Sequence, residues 1–415
     1  MIMRMQKLFV AALLAIAPAA QSQDIAVRGQ TVYPVSGAPV SDGVVVVRDG
    51  KIAAIGPSSR VRIPAGMDVV EAAVVTPGLI DAHSVVGLAG YLNQPHDQDQ
   101  LERSEAIQPE LRAVDAYNAR EALVEWLRGF GVTTVHTGHA PGEVISGQTM
   151  ITKTAGDTVA ESVIVPLAMV AATLGEGAVV QEPNGRKSPG NRSKAVAMLR
   201  TEFVKARAYA EKMASADDND NDDKNGKPTR DLRMEALSAV LNREIPLLVT
   251  VHRHNDIMTA LRLQQEFGFR LILDGAAESY LVLDEIKNAN VAVLVHAAMA
   301  RAFGASENMS FTTPAKLAAA GIPFAFQSGF EAYVPKTRVV LFEAAIAIQH
   351  GLSFERALAS LTIEAAKILG IEDRVGSLEV GKDGDLALYD GDPFEYTTHA
   401  VGTIIGGVQV SDRSR

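Results

Sequence analysis

Short runs of alternating apolar and polar residues, each closed by a turn, mark both ends of the chain. From Ile25 to about Val75 they predict strands. Thr31–Val35 leads into a turn at Gly37, and Gly43–Arg48 is followed by Asp49-Gly50 and Lys51–Gly56. Asp-Gly between two apolar runs is a strong hairpin signal, because both turn positions call for residues that tolerate positive φ. The C-terminal segment has the same character: Asp385–Tyr389 reads as a strand, and Thr403–Ile405 with Val408–Val410 as a hairpin. Two β-rich ends around a different middle predict one small β-sandwich assembled from residues 23–75 and 376–415.

Residues 76–375 alternate short apolar runs with helical periodicity, the sign of βα units and a parallel sheet. Predicted strands are Val75–Asp81, Val132–His136, Ala168–Thr173, Leu247–His252, Leu271–Leu273, Val291–His296 and Ile322–Phe326. An eighth is expected near Gln148–Lys153. Apolar spacing near 3.6 predicts helices at Glu121–Phe130, Ala195–Met213, Ile257–Phe267 and Val339–His350. The fold class is therefore α/β; eight strands would suit a TIM-like (β/α)8 barrel beside the small sandwich, but periodicity alone does not show its closure. Chemistry in such a barrel gathers at the C-terminal ends of its strands.

Composition narrows the chemistry. With 47% hydrophobic and 21% charged residues, the chain has the balance of a globular protein rather than a disordered one. Its net charge of −10, with no long basic run, argues against nucleic-acid partners. The absence of cysteine excludes disulfides, thiolate metal sites and a cysteine nucleophile. Met1–Ser22 reads as a secretory signal: Arg4 and Lys7 precede the apolar run Leu8–Ala17, and Ala20-Gln21-Ser22 supplies small residues for cleavage. That run is about half of the ~20 residues a membrane span requires. An exported, periplasmic protein is expected, with no span in the mature chain. Asp217–Lys227 reads as an acidic, solvated insertion rather than a calcium loop, since Leu232 stands where such a loop needs Glu.

Two segments go beyond pattern. Val75-Thr76-Pro77-Gly78-Leu79-Ile80-Asp81-Ala82-His83 enters the first barrel strand, and Gly376-Ser377-Leu378-Glu379-Val380-Gly381-Lys382-Asp383-Gly384-Asp385-Leu386 opens the C-terminal sheet region. Together they resemble the amidohydrolase superfamily, particularly its secreted imidazolonepropionase-like members. Gly131–Val135, the stretch through Arg200–Phe203, and Val251-His252-Arg253 with Asp256-Ile257 are similar to the same group. The resemblance covers Ile25–Asp412. It implies hydrolysis of amide, lactam or similar carbon–nitrogen bonds by one or two divalent metals that activate water.

Carried over position by position, the resemblance implies a damaged site. His83 matches the first histidine of the family's H-x-H pair, but the second position is Val85. Glu176 falls where relatives place a bridging carboxylate, and His252 matches the fifth-strand ligand. The sixth-strand histidine falls on Gly275, and the last-strand aspartate, both ligand and proton shuttle, falls on Gly329. His254 and His296 lie outside the family pattern. Two readings stay open. One is a rebuilt mononuclear site from Glu176, His252 and His296 with His83 or His254 assisting, suited to a single zinc. The other is a set of polar residues hydrogen-bonded at a barrel mouth with no metal. His136 and His139 are expected near the pocket, Asp81 as a structural carboxylate, and Lys153 as a weak candidate for carboxylation. No Ser-His-Asp arrangement is present, for want of a G-x-S-x-G elbow.

These readings carry three functions: a C–N hydrolase of small molecules with at most one metal, a non-catalytic subunit paired with an active relative, or a periplasmic small-molecule binder. Association as a homo-oligomer, or as a hetero-oligomer with a related chain, is expected from the resemblance.

Overall fold

A computed structural model describes residues 24–179, 188–218, 229–296, 298–329 and 339–415. The predicted signal segment lies outside the described residues, as do residues 219–227 of the acidic insertion.

The N-terminal strands are β1 (Ile25–Val32), β2 (Val40–Arg48), β3 (Lys51–Pro57) and β4 (Asp68–Pro77). The barrel region carries β5 (Leu79–Ser84), β6 (Val132–Gly138), β7 (Ile145–Lys153), β8 (Val163–Val165), β9 (Val170–Thr173), β10 (Leu247–Val251), β11 (Leu271–Gly275), β12 (Ala292–Val295) and β13 (Phe324–Phe326). Three strands follow at the C-terminus: β14 (Leu386–Tyr389), β15 (Ala400–Ile405) and β16 (Val408–Ser411). Strands from the two ends share one seven-stranded sheet, ordered β16-β15-β14-β4-β1-β2-β3. The two ends meet where β14 runs antiparallel to β4, with Leu386 opposite Pro77 and Tyr389 opposite Val74. The Asp49-Gly50 turn forms as its sequence predicts, with φ of 49° and 75°. Val27, Val45, Val47, Val75, Leu386, Leu388 and Ile404 bury one face of this sandwich.

Eight strands then form the nearly closed barrel, in the order β13-β12-β11-β10-β9-β7-β6-β5, with β8 beside β7. A bridge between Ser84 and Gly329 draws the two edges together. Neighbours from β9 to β13 pair in parallel, as do β5 and β6. The eighth strand departs from a purely parallel barrel, because β7 runs antiparallel to both β6 and β9. Only residues 139–144 separate β6 from β7. A parallel return needs a crossover of a dozen or more residues, so this connection can only reverse the chain.

Helices cover the barrel at Ala122–Arg128, Arg192–Asp218, His254–Phe267 and Val340–Gln349, among others. Ile257, Ala260, Leu261 and Phe267 bury the inner face of the third, which ends at Gly268 in the left-handed conformation that favours glycine. Inside the barrel, Ile80, Ile151, Leu248, Ile272, Leu294 and Ala325 form an apolar layer. Side chains alternate along a strand with period two. The next inward positions up, Thr250, Asp274, His296 and Gln327, therefore lie in the layer above it. That layer is polar, and it is where the site begins. Among the described residues no helix is long and apolar enough to cross a membrane.

Candidate functional site at the barrel mouth

The polar layer centres on Asp274, which is 2% exposed. Its Oδ1 lies 2.9 Å from His83 Nδ1 and accepts a 2.8 Å bond from Gln327 Nε2, while Oδ2 accepts a 2.6 Å bond from the Thr250 hydroxyl. Burial alone would push this carboxyl up. The His83 imidazole and the Thr250 hydroxyl outweigh it and hold Asp274 at about 2. His83 experiences the converse: burial pushes its imidazole down, and the Asp274 carboxylate more than restores it. Irregular pairing of β5 with β6 between Asp81 and Ser84 breaks the simple alternation and lets His83 reach the barrel interior.

Asp81 plays a supporting part. Its Oδ1 accepts the backbone N–H groups of Ser328 at 3.0 Å and His83 at 3.3 Å, tying the first strand to the last. Burial pushes this carboxyl up to about 7 against the pull of those donors. His136 is buried between Ala82 O and Thr149 Oγ1, 2.7 Å from each, and burial followed by repulsion from His83 pushes it down to about 3. His139 is buried as well. Neither His136 nor His139 lines the pocket.

Above this floor opens a cavity of about 560 Å³, lined by Thr250, His252, His296, Glu176, Arg103 and Arg301 among others. The His252 and His296 rings meet edge to face, 5.1 Å between centroids. Burial, then the neighbouring His296, pushes His252 down to about 4, so it is a neutral imidazole at neutral pH. His254 is not its companion. A helix begins at His254, so the extended geometry that would align the two histidines ends there, and His254 Nδ1 instead lies 2.7 Å from Glu278 Oε2. Glu176 sits on a turn of 3-10 helix just past β9, half-exposed, 3.8 Å from the Arg253 guanidinium and 3.9 Å from that of Arg192. Lys153 lies away from the pocket, paired with Asp383 and Asp385 at the joint with the sandwich.

With His254 turned to Glu278, the other four residues considered as metal ligands also fall into separate settings. His252 and His296 share the pocket, Glu176 is held at its rim by guanidinium groups, and His83 is bound to Asp274 below. Among the described residues no group of three or more His, Asp or Glu side chains is placed to hold a metal ion. A catalytic zinc takes three protein ligands and one open position. The donor set as arranged does not fit that requirement.

Sequence reading missed Asp274, Thr250 and Gln327. The signal was present in the strand phase. Asp274 stands two residues after inward-facing Ile272, Thr250 two after Leu248, and Gln327 two after Ala325.

Comparison with known proteins agrees with the fold. A structure of an amidohydrolase from Thermotoga maritima MSB8 is 28% identical, with a TM-score of 0.87, covering 94% of this chain and 100% of that one. "Amidohydrolase tasK" of Hapsidospora irregularis is 24% identical over 90% of this chain, which spans only 39% of that protein's length. The likeness to an imidazolonepropionase of Shewanella oneidensis is confined to 39 residues at 62% identity, 9% of this chain and 10% of that one. Residues 87–411 match the model of the amidohydrolase family. With its nearly closed barrel and its sandwich built from both ends, the chain belongs to the amidohydrolase family.

Proposed function

We propose that this chain is an exported hydrolase of carbon–nitrogen bonds in small molecules, working with a site reduced well below a two-metal centre. The observation that carries the reading is the barrel-mouth cavity itself. It stands at the strand ends where this family's chemistry belongs, and it presents a neutral imidazole, His252, next to Thr250. His252 is neutral at neutral pH and so has a lone pair free to take a proton from an attacking water, while its lowered proton affinity makes it a weak base, in keeping with slow turnover. Arg103 and Arg301, also lining the cavity, suit a substrate that carries a carboxylate or develops negative charge at a carbonyl oxygen. Gly329 in place of a carboxylate leaves the last strand without a proton shuttle. General acid–base catalysis commonly contributes ~10²–10⁴-fold, so turnover is expected to be slow.

Export rests on the signal-like segment Met1–Ser22, and recovery of a shortened N-terminus from the periplasmic fraction tests it. The activity is tested by screening the mature chain against lactams, acylated amino acids and dipeptides, with metal content measured on the same sample. Slow turnover lost in His252→Ala supports the reading, and no turnover of any amide or cyclic amide rejects it. A second reading, a non-catalytic subunit or binder, is favoured by the want of a metal-binding donor cluster among the described residues. It gains if the inactive chain co-purifies with a relative that has an intact H-x-H pair.

A further inference from the structure

We propose that the barrel floor of this chain is a metal-independent charge site, in which the His83–Asp274 pair, clamped by Gln327 and Thr250, stands where relatives would hold a divalent ion.

Three observations carry it. First, the positions where the family resemblance would place further ligands are packed for other contacts. Val85 is buried in a small apolar cluster with Ala89, Ala140 and Leu101. Gly275 has φ of 76°, and a Cβ there would lie 2.5 Å from His252 Cε1. A side chain at this position would be strained and would displace His252. Gly329, with φ of 70°, donates its N–H to His83 O at 3.2 Å and so helps close the barrel seam. These contacts are built into the packing of the floor.

Second, the remaining donors are engaged. Both oxygens of Asp274 and Nδ1 of His83 are committed to one network. The Gln327 amide matters here. Its Nε2 donates to Asp274 Oδ1 at 2.8 Å and to Leu294 O at 2.9 Å. A ligand position would offer a lone pair, whereas this group offers hydrogens. The carboxylate's charge is met by an imidazole, an amide and a hydroxyl rather than by a metal ion.

Third, what is left over is not brought together. Asp81 Oδ2, His83 Nε2 and His252 Nδ1 are buried without a hydrogen-bond partner. Among the described residues no three His, Asp or Glu side chains are grouped to hold a metal ion, and a zinc ion with an open coordination position takes three protein ligands.

The test uses the full mature chain. Metal content is measured after growth with added zinc, and thermal melting is followed in EDTA and in zinc. Substoichiometric metal and the same melting temperature in both conditions are expected. One equivalent of metal whose removal lowers the melting temperature would overturn the proposal. Asp274→Asn should lower the melting temperature equally in EDTA and in zinc. A drop seen only with zinc would make the carboxylate a metal ligand, and no drop at all would deny the pair its role; either result overturns the proposal. Should the variant not fold, the wild-type measurement decides alone. The outcome is separable from the proposed activity. A metal-free chain without turnover rejects only the hydrolase reading, and a stoichiometric metal with turnover rejects only this one.

Discussion

Two buried ion pairs in this molecule look alike and differ in what they leave over. At the joint between sandwich and barrel, Lys153 Nζ lies 3.0 Å from Asp383 Oδ2 and bonds Asp385, while Lys51 and Arg374 also reach Asp383, at 2.6 and 3.1 Å. Asp385 Oδ1 takes the Gly406 N–H at 3.0 Å. No buried polar atom of Lys153, Asp383 or Asp385 is left without a partner. The barrel floor is different, because Asp81 Oδ2, His83 Nε2 and His252 Nδ1 are buried and unpartnered. Buried polar groups are ordinarily satisfied, so leftover capacity asks for an explanation. The joint is completed by folding. The floor keeps capacity that folding does not use, and that separates a site from a strut.

The largest expected effect tests the floor. Asp274→Ala leaves the Thr250 hydroxyl and His83 Nδ1 without their acceptor, leaves Gln327 Nε2 with Leu294 O alone, and strips His83 of its counter-charge. Breaking one side of a buried pair costs about 3–5 kcal/mol, and urea unfolding should show a loss of that order. A loss below about 1 kcal/mol would mean that the pair is not coupled to the fold. At the joint, Asp385→Ala should cost less. Lys153 keeps Asp383, so the expected loss is about 1–3 kcal/mol. The floor should be untouched, which the His83 imidazole signals in ¹⁵N NMR would report. Movement of those signals would join the two clusters into one unit and break the comparison.

Much of the fold was legible because it depends on local pattern. Asp49-Gly50 set its hairpin, and apolar periodicity placed the helices within a few residues of Ala122–Arg128 and His254–Phe267. The orientation of β7 was not read, although it follows from the six residues that precede it. The site was only half legible. His252 reached the pocket, but following the family's ligand positions led to Gly275 and past Asp274 beside it. His83 and Asp274 are 191 residues apart, and no local signal pairs them. The rim at Glu176 is likewise tertiary, since Arg192 and Arg253 come from different segments.

Gly275→Ala sharpens the comparison from the site's side. The substitution forces φ of 76° on a residue with a side chain and drives its Cβ against the His252 ring. Strain of this kind costs about 1–3 kcal/mol. Unlike Asp385→Ala, it should also shift the His252 imidazole resonances. Unshifted resonances would show that Gly275 does not hold that ring in place.

The smallest effect near neutral pH is a slope with pH. His136 stands at about 3 in the folded chain against an ordinary 6.5, because burial and then His83 disfavour its cation. Between those values the unfolded chain binds a proton that the folded chain refuses. Stability from this group is therefore complete above pH 6.5 and falls as pH drops toward 3, by up to about 1.4 kcal/mol per pH unit. Asp81 acts in the opposite sense. Held near 7 against an ordinary 3.8, it keeps its proton when folded, and the stability it contributes declines as pH rises through that window. The two slopes partly cancel in the wild type, so the measurement must be a difference. His136→Gln retains polar atoms able to meet Ala82 O and Thr149 Oγ1 but does not titrate. Unfolding free energies of the two proteins, followed from pH 7 to 4.5, should diverge in the variant's favour as pH falls below 6.5. Parallel curves would mean that His136 is charged within the floor, and the distinction between a floor with unused capacity and a fully paired joint would fail there.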